Sequence, residues 1–244
     1  MGNLHLVNFV YKKEYSYTKQ IYTTLYIIGL TIQYCYIYLF EYENWKRYRM
    51  DKELRLKFTR VLHNMEGSGY LRSMIAYNAA PTIEDHKPSS LVVFTSQGKN
   101  SMFLWKQYGP EICFDFGLDY FELKKRSECI IVLLYRKKWL EVHLDVQHNQ
   151  LFLQKMGYSP EDTIEEKLQR LSKRFEMFCP HDVGIFLGIP VEDVEGFILH
   201  KGKNCMMCRY WKVYADPQRA ETLFNAYDMA RSSIAEYVVN QCCV

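Results

Sequence analysis

After residue 50, apolar positions recur with a helical period through most of the chain and crowd into a few short strand-like runs. Leu54, Phe58, Val61 and Leu62 form a stripe that predicts a helix between Asp51 and His63. Gly67-Ser68-Gly69 breaks it. A second helix is expected from Tyr70 to Tyr77, closing before Ala80-Pro81 because the residue before a proline disfavours helical backbone. Leu91-Val92-Val93-Phe94 reads as a short buried strand. Met102, Trp105 and Tyr108 then share a helix face, with Gly109-Pro110 as the expected stop. Tyr120–Leu123 and Ile130–Tyr135 are β-rich runs, and Lys124-Lys125-Arg126-Ser127 between them reads as a charged hairpin turn. The second run is continuously apolar, which predicts a central strand covered on both faces.

Helical spacing returns with Leu140 and Leu144, then with Leu151, Phe152 and Met156, closed by Gly157. Ser159-Pro160-Glu161-Asp162 has the composition of a helix start, with a capping Ser, Pro in the first turn and acids at the positive end. The stripe Ile164, Leu168, Leu171 and Phe175 follows it. Pro180 and Pro190 each open a further short helix. Cys208 to Tyr214 alternates as a strand. Asp216-Pro217 caps a last long helix with the stripe Ala220, Leu223, Phe224, Tyr227, Arg231, Ile234 and Val238. The order predicts an α/β fold, or its α+β variant: a mixed sheet of about four strands including one hairpin, packed by several helices. Residues 50–238 are expected to form a single globular domain and 239–244 a tail.

The charge pattern separates the first 49 residues from the rest. They carry six basic side chains and three acidic ones, 6 − 3 = +3, so the whole excess of the chain lies there. The remaining residues hold 25 basic and 25 acidic groups and are neutral. A neutral body lacks the basic footprint that nucleic acid requires, so no nucleic-acid partner is expected. Gln20 to Phe40 is free of charge and long enough to span a bilayer, but five of its positions are Tyr, which prefers the membrane interface. No small-residue cleavage site follows it, which argues against a signal peptide. Residues 1–49 therefore read as a wrongly extended start before Met50, as a membrane helix or as a docked helix. A membrane role is expected only if residues 20–40 are a genuine anchor.

Familiar catalytic signatures are absent: no Gly-rich phosphate loop, no nucleophile elbow, no His-Glu-x-x-His and no paired Cys-x-x-Cys. The eight cysteines form no regular framework, which suits reduced thiols in a cytoplasmic protein. Reactive groups are densest between Cys179 and Tyr214. His181 and Asp182 open a short helix, where a neutral imidazole is favoured and a base or ligand role competes with simple capping. Lys201, Lys203 and Lys212, with Tyr214, have the composition of an anion site, although cations after a helix also complement its dipole. His181, His200, Cys205 and Cys208 include metal-compatible spacing, as does the lone Cys205-x-x-Cys208 pair for thiol redox chemistry, with inert thiols as the ordinary alternative. His143 and His148 read as surface or capping residues.

The blocks His181-Asp182-Val183-Gly184-Ile185-Phe186-Leu187-Gly188-Ile189-Pro190 and Trp211-Lys212-Val213-Tyr214 resemble those of an uncharacterised family of bacterial domains of about 190 residues from anaerobic gram-positive bacteria. Ala79-Ala80-Pro81-Thr82 and Lys87-Pro88-Ser89-Ser90-Leu91 extend the resemblance, which runs from about Met74 to Tyr227. It departs at Ala79, where many relatives have Cys, and at Arg209, where many have Gly. The resemblance implies no reaction; it implies a setting of anaerobic redox or metal physiology, with a flavodoxin-like redox partner. Three functions follow as expectations: binding of, or action on, a small anionic metabolite or cofactor; a metal- or thiol-based redox or iron accessory role; and a non-catalytic protein-interaction module. Whether the chain is an enzyme, and with which cofactor, is left open by its residues.

Overall fold

Three antiparallel strands lie at the centre of the fold, in the order β1 (Ser89–Thr95), β3 (Cys129–Tyr135), β2 (Asp119–Lys125). The computed structural model describes residues 50–177 and 179–242, so the expectations for residues 1–49 lie outside the described residues. Every residue of β3 is buried, as its continuous apolar run requires. Helices α2 (Gly67–Ile83) and α3 (Ser101–Asp115) cover one face of the sheet, meeting Val92, Phe94, Ile130, Val132 and Leu134. The other face carries Ile131, Leu133 and Tyr135. It packs on α4 (Lys137–Leu144), α5 (Gln147–Lys155), α6 (Ile164–Met177), α7 (Val183–Phe186) and α8 (Val191–Leu199). Helix α1 (Lys52–Asn64) packs with α2 and the C-terminal α9 (Pro217–Cys242) through Phe58, Tyr77, Ala235 and Val238. This is the α/β arrangement expected. Its strands divide between the three-stranded sheet and a separate two-stranded ribbon, β4 (Met207–Cys208) and β5 (Lys212–Val213).

The element boundaries move where packing outweighs local propensity. Helix α2 runs through Pro81 to Ile83, and Ala79 to Thr82 are all buried. Helix α3 continues past Gly109-Pro110. Gly109 faces the Trp105 ring so closely that an added Cβ would stand 2.4 Å from it. Trp105 in turn stacks on Phe94 and donates from Nε1 to Glu122 at 2.9 Å. The hairpin turn falls after Lys124 and Lys125, which belong to β2. An irregularity between Glu122 and Lys124 turns Lys124 inward, where its ammonium donates to the Phe175 and Glu176 carbonyls at the end of α6. Helix α6 starts at Ile164, after Ser159–Asp162 has formed a turn. Its cap is Thr163, whose hydroxyl and amide pair reciprocally with Glu166. Helix α9 starts as expected, with Asp216 accepting from the Arg219 amide, but runs to Cys242 with Val239 buried. Among the described residues no helix is long and apolar enough to cross a membrane.

Candidate functional site

The chain from Pro180 to Tyr214 folds as two short helices, a turn and the ribbon, held together and to the rest of the fold by close contacts at glycines. Gly184 in α7 faces Val194 in α8, where a Cβ would stand 2.8 Å from the valine methyl. Gly188, at φ +77°, presses on the ring of Pro88, and Ser89 donates to the Phe186 carbonyl at 2.7 Å. Gly196 lies against Tyr214, with 2.5 Å between an ideal Cβ and the tyrosine Cβ. Lys87–Ser90 thus touches Val183–Pro190, and Tyr214 touches α8.

Asp193 holds the ribbon to α8. Its buried carboxylate accepts from Trp211 Nε1 at 2.7 Å and from the amides of Tyr214 and Ala215 at 2.7 and 3.0 Å. Trp211 and Val213 are therefore drawn inward onto Phe224 and Tyr227 of α9. The chain bends at residues 209–211 instead of alternating as one strand. Strict alternation would place Tyr210 with Lys212 and Tyr214, opposite Trp211; instead it packs on Phe224 and Tyr227 beside Trp211.

Of the expected catalytic candidates, Asp182 is fully buried and committed to internal partners. Tyr158 donates its hydroxyl to Oδ2, and Arg174 Nε lies 3.2 Å from Oδ1 and 3.1 Å from Oδ2; the side chain caps no helix. Burial, then the Asp182 charge, pushes the Tyr158 hydroxyl far up. His181 is half-buried, with its ring centroid 5.5 Å from that of Phe197. Burial lowers its pKa, against the pull of Asp182, which favours a neutral imidazole. Phe197 also receives Lys212, whose ammonium lies 5.9 Å from the ring centroid and donates to the Gly202 carbonyl at 2.6 Å. Lys212 thereby satisfies a carbonyl just past the C-terminus of α8.

Lys201 and Lys203 are exposed in the turn after α8, whose path is set by left-handed residues at Lys201, Gly202 and Asn204. His200 is exposed and its ring lies parallel to Tyr214, 9° between planes and 5.5 Å between centroids. The Tyr214 hydroxyl is buried with no hydrogen-bond partner among the described residues. Burial raises its pKa, and Cys205, Cys208 and Asp193 add to the rise. Among the described residues no group of three or more His, Cys, Asp or Glu side chains could hold a metal ion. Of the two histidines among the metal candidates, His181 meets Phe197 and His200 meets Tyr214.

A family model described as a protein of unknown function, DUF3793, matches residues 75–244. The chain belongs to the DUF3793 family. No curated protein and no solved structure matches it. In this DUF3793 domain the matched region spans every contact between blocks described above. Residues not anticipated from the sequence include Asp193 and a cation–aromatic cluster on α9. There Arg231 lies 5.0 Å from the Tyr210 ring and 5.6 Å from Tyr77, while Lys87 lies 5.6 Å from Tyr227. Arg209 and the Tyr210 hydroxyl both bond Asp228. An arginine on the apolar stripe of α9 was the one sequence signal of that cluster, because a buried guanidinium requires ring faces or a carboxylate beside it.

Proposed function

We propose that this DUF3793 domain binds a small anionic metabolite or cofactor at the C-terminal end of α8. The observation that carries the reading is the parallel stack of His200 on Tyr214 beside the exposed Lys201 and Lys203. One imidazole face meets Tyr214 while the residue stays exposed, so the other serves as a platform for a planar group. The two ammonium groups supply partners for phosphate or carboxylate. Lys212, on the Gly202 carbonyl, holds the turn and positions Lys201 and Lys203.

A thermal-shift screen with nucleotides, flavins and phosphorylated metabolites tests the reading. Occupancy at a hundredfold excess over Kd adds about 2.7 kcal/mol of stability. The expected result is stabilisation by at least one planar anion, weakened by His200→Ala. No stabilisation across the panel overturns the proposal.

A further inference from the structure

The stretch from Gly196 to Ala215 contains Lys201, Lys203, Arg209 and Lys212 and no acidic residue, in a body that is neutral as a whole. Three large apolar side chains in and beside the turn face water: Leu199 at 75% exposure, Met206 at 57% and Ile198 at 36%. Exposed aliphatic groups thus flank two exposed cations across the end of α8 and the turn after it, Ile198-Leu199-His200-Lys201-Gly202-Lys203-Asn204-Cys205-Met206. Lys201 and Lys203 make no ion pair among the described residues, so their charges face outward.

We infer that this turn docks on the surface of an anionic lipid bilayer, with Leu199, Met206 and Ile198 entering the interfacial layer and Lys201 and Lys203 meeting lipid phosphates. The inference shares the two lysines with the site proposed above, but it rests on apolar side chains that a small anion does not use. Charge complementarity selects an anionic surface, and the residue types select lipid over protein. Protein interfaces are anchored by Trp, Tyr and Arg and are depleted in Lys. Here Trp211 and Val213 are turned into the core, and what remains outside in the turn is Ile198, Leu199, Met206 and two lysines, beside the His200 ring. Basic residues flanking an inserted apolar group are the arrangement that holds proteins at membrane interfaces.

Co-sedimentation of the full chain with vesicles tests this, using phosphatidylcholine alone and an equal mixture with phosphatidylglycerol. Any membrane affinity of residues outside the turn is common to the parent and its variants, so the readout is the ratio between them. Each lysine near an anionic surface is worth about fivefold in partitioning. Lys201→Gln with Lys203→Gln is expected to lower binding to the mixed vesicles about 25-fold and to leave binding to phosphatidylcholine unchanged. Leu199→Ser is expected to lower binding to the mixed vesicles about tenfold. Variants that sediment like the parent overturn the inference, provided their melting curves show them folded. So does equal binding to polyglutamate with no effect of Leu199→Ser, which assigns the turn to an acidic polypeptide. If free glycerol phosphate displaces the protein from vesicles, the turn recognises a soluble anion and the bilayer inference fails. A negative soluble-ligand screen with positive vesicle binding overturns the small-molecule site alone.

Discussion

Asp193 is the side chain on which the ribbon depends. Its two oxygens accept three N–H groups, and the Trp211 indole among them is buried. A buried donor left unmet costs roughly 1–3 kcal/mol, while amides nearer the surface recover part of theirs from water. Asp193→Ala is therefore expected to lower stability by about 3 kcal/mol in urea unfolding, with a smaller loss for Asp193→Asn, which keeps one accepting oxygen. A loss below about 0.5 kcal/mol would show that the ribbon does not need this carboxylate. The cysteines divide at the same scale. Burial, with Asp119 adding to it, pushes the Cys113 thiol up to about 12, and burial also raises Cys129. Cys205 and Cys208 are half-exposed and Cys242 is exposed. Since the thiolate is the reacting species, brief iodoacetamide treatment should label Cys205, Cys208 and Cys242 before Cys113, Cys129 and Cys179. Mass spectrometry of the native protein checks this, and early labelling of Cys113 would contradict the burial described for it.

The helix starts differ in how far local sequence alone encodes them. Asp216-Pro217 was legible because the cap, the proline and the stripe agree within a few residues. At α6, two cap signals lie four positions apart, Ser159 and Thr163, and only the second is followed by the Glu at the third position that closes the box. Thr163→Ala should cost about 1 kcal/mol in the same unfolding assay, whereas Ser159→Ala should cost less than half as much. An equal loss at both positions would mean that the turn, not the box, holds the helix end. The central strand and the β2–β3 hairpin were legible from pattern alone. The run through Gly109-Pro110 was not, because what stabilises it is the Trp105 ring against a position with no Cβ, a contact that periodicity does not encode. The site follows the same division. His200, Lys201, Lys203, Lys212 and Tyr214 stand out as reactive groups in one segment. The bend at residues 209–211 depends on Asp193, which in sequence is an ordinary acid in the first turn of a helix.

At the scale of the molecule, the α7–α8 segment is tied to the helical layer behind the sheet by a histidine. His143 at the end of α4 places Nε2 2.9 Å from the Ile185 carbonyl in α7, and Asn149 donates to the His143 carbonyl at 2.8 Å. Burial lowers the His143 pKa from 6.5. The Ile185 contact pulls it up, and His148 pushes it down. His181, in the turn before α7, is shifted the same way by burial. Both histidines therefore bind a proton less readily folded than unfolded. Above the unfolded value near 6.5 both states are neutral and stability does not depend on these groups. As pH falls below 6.5 the unfolded chain takes up protons first, so stability declines until the folded histidines protonate as well. Denaturant midpoints measured between about pH 5 and 8 should thus be flat at the upper end and fall at the lower. His143→Gln keeps a side-chain donor for Ile185 without a titrating group. It should reduce the acid slope while leaving the midpoint at the neutral end nearly unchanged. If the variant falls as steeply as the parent, the acid sensitivity does not lie at the joint between α4 and α7.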